Sequence, residues 1–150
     1  MKVRVFFFGK DRSGLFEPAA QEYAKRLTHY AKFEWVALAS SKSKVHAAEE
    51  EADTLFSKLG PREDLIALDE RGQALGSVAF AQQLSSAQSR SRDLAFVIGG
   101  DEGLSNRVRE QAYAVWALSA LTMSHRLARL VLVEQLYRGF SILRGEPYAK

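Results

Sequence analysis

The chain has 150 residues, 47% of them hydrophobic, and a net charge of +3 from 21 basic and 18 acidic side chains. That length suits a single domain, residues 1–150, with a core that needs no staples, and the lack of cysteine excludes disulfides, thiolate nucleophiles and cysteine-built zinc clusters. The charge is too mild to demand nucleic acid but agrees with it. Lys and Arg outnumber Asp and Glu nine to six in residues 1–50 and seven to five in 101–150, so the two ends would make one positive face wherever they meet.

Met1-Lys2-Val3-Arg4 leads into an apolar run, Val5 to Phe8, far too short for a signal core or a membrane span. It predicts a first strand over 3–8 in a soluble, cytoplasmic chain. An amphipathic stretch from Leu15 to Tyr30 predicts a helix, and a strand follows over 33–39. Ser40-Ser41-Lys42-Ser43-Lys44 is the one linker-like stretch, read as short, flexible and basic. A helix from Val45 to Leu59, a strand over 64–68 and a helix from Ser77 to Ser89 with Ser77 as N-cap come next. Then come a strand over 94–98, a helix from Ser105 to Ala112 capped by Ser105, a strand over 114–118 and a last helix from Arg126 to Leu143. This alternation defines an α/β fold, a mostly parallel sheet flanked by helices.

The densest information lies in Leu94 to Ser105, where an apolar strand runs into Gly99-Gly100-Asp101-Glu102-Gly103 and a helix start. Parallel sheets bind ligands beyond the carboxyl ends of their strands, and glycines let backbone approach where a Cβ would intrude. Two carboxylates in the turn argue against a phosphate and for a neutral or cationic ligand.

The last helix is apolar on most sides, from Leu127, Leu130, Val131, Leu132 and Val133 to Leu136, Tyr137, Phe140, Ile142 and Leu143. A chain this small covers a terminal helix incompletely, which predicts a homodimer. Glu134 and Arg138 share a helix face at i,i+4, either as a plain ion pair or as a functional pair. His46 and Glu49 also share a face, but two ligands without a third make no metal site, and no metal is assigned.

Leu68-Asp69-Glu70-Arg71-Gly72, Phe96 to Ser105, Trp116 to Thr122 with His125, and Leu136-Tyr137-Arg138 before Pro147-Tyr148 occur in an order and spacing that resemble the RlmH (YbeA) family of SPOUT methyltransferases. The resemblance covers essentially the whole chain and is densest from residue 64 onward. It implies S-adenosylmethionine-dependent methylation of N3 of a pseudouridine in helix 69 of 23S ribosomal RNA, on the assembled ribosome. It also implies a homodimer and a SPOUT-like fold with a C-terminal trefoil knot.

Carried over by position, the resemblance implies a cofactor pocket at Leu68, Gly100 and the segment Ser119, Ala120, Leu121, Thr122, Met123 and Ser124. The chemistry requires a weakly acidic ring nitrogen to be oriented and deprotonated, without metal. Arg138, Tyr148 and His125 are the candidate catalytic residues, with Tyr148 able to stack on or hydrogen-bond a base. Lys42, Lys44, Arg126, Arg129, Arg144 and Lys150 are the candidate RNA contacts.

Two departures stand out. Relatives commonly read Leu-Pro-His-Pro where this chain has Met123-Ser124-His125-Arg126, which predicts a less rigid loop. They commonly end Pro-Tyr-His-Arg where this chain has Pro147-Tyr148-Ala149-Lys150, so no proton-handling role transfers to Ala149. That tail motivates an alternative, a SPOUT-like ribosome- or RNA-binding protein with reduced or lost catalysis.

Overall fold

The computed structural model describes residues 1–11 and 13–149, with Ala149 described in its backbone alone. Five parallel strands form one sheet in the order β2-β1-β4-β3-β5: β1 (Lys2–Phe8), β2 (Lys32–Leu38), β3 (Glu63–Ala74), β4 (Asp93–Ile98) and β5 (Ala114–Ala117). The helices α1 (Glu17–Leu27), α2 (Ala47–Lys58), α3 (Ser77–Ser89), α4 (Asn106–Gln111) and α5 (His125–Leu143) alternate with them, and a 3-10 turn over Pro147–Ala149 follows.

The strands are apolar on both faces because both are covered. Val3, Val5 and Phe7 of β1 face α1, α3 and α5 through Leu27, Phe80, Leu84, Leu132 and Leu136, and Phe96 and Ile66 of the neighbouring strands join them. Phe6 and Phe8 turn the other way, with Leu65 and Val97, onto Ala52 and Leu55 of α2 and Val108 of α4. The period-two alternation along β1 therefore feeds two cores, one on each side of the sheet.

Several boundaries differ from expectation. β3 continues six residues past Leu68, because beyond the register shift it leaves β4 and pairs Gln73 and Ala74 with Trp116 and Ala117 of β5. A Cβ on Gly72 would fall 2.6 Å from the Val115 backbone, so that close crossing requires glycine. Ser105 caps α4 by accepting from Val108 N, as expected, whereas α3 spans the expected Ser77–Ser89 with its cap one residue earlier than predicted: Gly76 is the cap and the Ser77 hydroxyl instead donates to Gln135 Oε1 at 2.7 Å. The residues 40–44 are tethered rather than loose. The half-buried Ser41 and Ser43 bond to Glu50, Glu51 and the start of α2, which leaves Lys42 and Lys44 projecting outward.

α5 is not buried all round. Leu132, Val133, Leu136 and Phe140 are buried, but Leu127, Leu130, Val131, Tyr137 and Ile142 are only half-covered. Among the described residues no helix is long and apolar enough to cross a membrane.

Candidate functional site

The carboxyl ends of β4 and β5 and the middle of β3, Leu68 to Arg71, open into a cavity of about 460 Å³, within the range that holds small organic ligands. Its apolar walls include Leu68, Ile98, Leu104, Leu118, Met123 and Ala128, and its rim carries Asp69, Glu70, Arg71, Asp101 and His125. The site sits where the connections of adjacent strands leave to opposite faces, β4 into α4 and β3 into α3.

The glycine turn forms one lip. Gly103 N donates to Gly100 O at 3.0 Å, and Gly103 adopts φ +71°, which favours glycine. A Cβ on Gly99 would lie 2.7 Å from the Gly103 carbonyl carbon, so Gly99 is demanded by the closure of the turn itself. Gly100 is not: its Cβ would meet Glu51 Oε1 at an ordinary 3.5 Å.

The segment after β5 forms the other lip and is bonded across the opening twice. Thr122 Oγ1 donates to Glu70 on the β3 extension, and His125 Nε2 lies 2.8 Å from Asp101 Oδ1. Ser119 Oγ accepts from Leu121 N, and Ser124 Oγ caps α5 by accepting from Leu127 N. These serine bonds order a segment without prolines.

Electrostatics set the character of the rim. Asp69 takes a bidentate bond from Arg71, with both oxygens 2.9 Å from the guanidinium, and this bond holds the carboxyl below its ordinary range despite partial burial. Arg109 adds charge to Asp69 and donates to Leu104 O at 2.6 Å, bracing the turn from α4. Behind the turn lies Glu51, whose pKa is raised by burial first and by Asp101 and Glu102 in addition, against the Ser41 N–H bond.

Of the sequence candidates, Leu68, Gly100, Ser119, Leu121, Thr122, Met123, Ser124 and His125 all line this cavity. Ala120 does not; it is exposed outside it. Asp69, Glu70, Arg71, Ile98, Leu118 and Ala128 also line it; all but Ala128 fall in stretches that the sequence singles out, but none of the six is among its cofactor candidates.

Arg138 and Tyr148 are elsewhere. α5 rises about 20 Å between His125 and Arg138, so the chain does not bring these residues to its own cavity. Arg138 Nη2 lies 2.7 Å from Glu134 Oε1, and the Tyr148 hydroxyl donates to the same oxygen at 2.9 Å and lies 3.0 Å from the Tyr23 hydroxyl. Burial, then these bonds, push the Tyr148 phenol well above its ordinary pKa, so it is protonated at neutral pH. The ion pair expected of Glu134 and Arg138 is present and also carries the C-terminal tyrosine.

The RNA candidates divide as well. Lys42 and Lys44 are exposed at the carboxyl edge of the sheet, where Lys10, missed in the sequence, is exposed beyond β1. Arg126 lies at the same end, 3.6 Å from Asp11, whereas Arg144 is at the far end of α5 over the Tyr30 ring. Arg129 must be corrected: it is 2% exposed and cannot reach a phosphate, because it lies under the N-terminus of α5 against Phe7 and Phe8. Lys150 lies outside the described residues.

Residues 1–149 match the family described as "Predicted SPOUT methyltransferase". The chain belongs to the SPOUT methyltransferase family. Within it, the similarity is to chains named ribosomal RNA large subunit methyltransferase H. That of Anaeromyxobacter sp. (strain Fw109-5) is 54% identical over the whole of both chains. Those of Flavobacterium psychrophilum and Streptococcus thermophilus are each 38% identical, covering 99% and 100% of this chain and 98% and 100% of their own. A crystal structure of the SpoU methyltransferase AviRb from Streptomyces viridochromogenes, in complex with the cofactor AdoMet, aligns with 90% of this chain and 56% of that one, at 16% identity and a TM-score of 0.49.

Proposed function

We propose that the protein is an S-adenosylmethionine-dependent methyltransferase of large-subunit ribosomal RNA. Its target is N3 of a pseudouridine in helix 69 of 23S ribosomal RNA on the assembled ribosome. The observation that carries this reading is the cavity at the carboxyl ends of β4 and β5 beside the middle of β3, apolar inside and edged by Asp69, Glu70 and Asp101, in a chain similar end to end to ribosomal RNA methyltransferases. The methyl donor, when bound, supplies a methyl group on a sulfonium cation. Leu68, Ile98, Leu104, Leu118 and Met123 would hold its apolar parts and exclude water, and the rim carboxylates favour its positive charge.

Arg138 and Tyr148 would orient the target base. Arg138 offers fixed donors, and the protonated Tyr148 phenol donates rather than abstracts. Because about 20 Å of helix separates them from the cavity, they act in a site completed by a second copy of the chain. The half-covered residues of α5, Leu130 and Val131 among them, supply the apolar face for that homodimer. The close crossing of Gly72 over β5 and the Thr122–Glu70 bond agree with a C-terminal trefoil knot around the cavity. The protein would work as one domain in the cytoplasm, with Lys42, Lys44 and Arg126 meeting RNA phosphates.

Incubating the protein and S-adenosylmethionine carrying a labelled methyl with ribosomes tests the assignment. Label recovered in 23S ribosomal RNA supports it. Label absent despite donor binding contradicts it and favours a ribosome-binding protein without catalysis.

A further inference from the structure

Beneath the cavity mouth lies an arginine that no RNA contact explains. Arg129 is 2% exposed, one helical turn beyond His125 on α5. Its Nη2 donates to the carbonyl of Phe8, the last residue of β1, at 2.8 Å, and to His125 Nδ1 at 3.2 Å. Its guanidinium lies 4.3 Å from the Phe7 ring centroid, while Nε and Nη1 are buried with no hydrogen-bond partner among the described residues.

A guanidinium has five donors and no acceptor. His125 Nδ1 must therefore present its lone pair to Arg129, which leaves the imidazole proton on Nε2. Nε2 in turn faces Asp101 Oδ1, which accepts at 2.8 Å. Both neighbours of the ring thus select the same tautomer. The lone pair of the imidazole is spent inward, and the face it turns to the cavity is a donor.

We infer that Arg129 is a positioning residue that fixes His125 as the Nε2–H tautomer, making His125 a hydrogen-bond donor at the cavity mouth rather than a base. In the free protein the acceptor is Asp101, 88% exposed on the glycine turn. On ligand entry it is Asp101 or an acceptor atom of the ligand, and this second role rests on the methyl-donor reading above. Packing alone would not call for arginine here, since methionine would fill similar space without unpartnered N–H groups. The proton on the target nitrogen must then leave to a group other than His125.

The test reads the ring directly. Long-range 1H–15N correlation spectra of 15N-labelled protein at about pH 8, above the ordinary imidazole range, report which ring nitrogen carries the proton. The chain has three histidines, so His125→Gln assigns the signal. The expected spectrum has Nδ1 bare and Nε2 protonated in the parent protein and in Arg129→Lys. Arg129→Met should show a mixed tautomer and bind S-adenosylmethionine about tenfold more weakly, the scale of one hydrogen bond, with Arg129→Lys recovering part of the loss. A proton on Nδ1 in the parent protein, or an unchanged ring pattern in Arg129→Met, overturns the inference. If the methionine variant fails to fold, Asp101→Ala decides it: with the Nε2 acceptor gone the Nε2–H pattern should persist under Arg129 alone, and a mixed tautomer there overturns the inference. A protein that keeps the tautomer but binds no S-adenosylmethionine would contradict the proposed function and leave this inference standing.

Discussion

His125 Nε2 and Asp101 Oδ1 meet at 2.8 Å, and that one bond joins the start of the last helix to the glycine turn across the cavity. The two residues arrive by independent routes, Asp101 from β4 and His125 from the loop after β5. The pair is therefore a clasp between two lips of the cavity. Its strength bears on ligand entry more than on folding, because Asp101 is largely exposed.

Asp101→Ala should accordingly leave global stability within about 0.5 kcal/mol of the parent, as for most surface changes. Affinity for S-adenosylmethionine should fall roughly three- to tenfold as the turn loses its anchor. Urea unfolding and titration calorimetry separate the two. A large stability loss with intact affinity would show that the bond serves the fold.

The two glycines of the turn should behave differently. Gly99→Ala puts a methyl 2.7 Å from the Gly103 backbone and should cost about 1–3 kcal/mol in denaturant unfolding, as overpacking does. Gly100→Ala meets Glu51 at an ordinary 3.5 Å and should stay within about 1 kcal/mol of the parent. Equal losses at both positions would contradict the geometry of the turn.

Glu51 gives the fold a pH dependence. Burial raises its pKa above the ordinary value of 4.5, so in that window the folded chain binds more protons than the unfolded one. Its contribution therefore becomes less favourable as pH rises from about 4.5 through the folded pKa, and the full penalty is present above it. Glu51→Gln removes the charge while keeping an acceptor for Ser41 N, and should raise the melting temperature at neutral pH but not at pH 4. Melting curves across that range check the sign.

A site shared between copies predicts complementation. Arg138→Ala should abolish methyl transfer while sparing donor binding, and Thr122→Trp should block the cavity mouth while leaving Arg138 intact. Refolding the two inactive variants together should restore about a quarter of parental activity, since half the dimers are mixed and each holds one complete site. No recovery from mixed dimers would place both halves within one chain.

All five strands and five helices were legible in the sequence because each carries its own period. β1 alternates between two cores, and Ser105 announces α4 by its capping chemistry. β3 was cut short because Asp69-Glu70-Arg71-Gly72 is polar, and its pairing with β5 depends on a register shift that no local pattern encodes. The pocket segment from Ser119 to Ser124 was placed by family resemblance, with Ala120 falling outside the cavity. Arg129 was misjudged for a physical reason: charge in a sequence suggests a surface, and nothing local revealed that Phe7, Phe8 and His125 would enclose this guanidinium.

The central claim is tested most directly by the position of the transferred methyl group. Ribosomes lacking the helix 69 methyl group, treated with the protein and S-adenosylmethionine, should yield 23S ribosomal RNA fragments whose mass spectra place one added methyl on N3 of a pseudouridine in helix 69. A methyl group on another nucleotide, or none from a folded protein that binds the donor, would contradict the account.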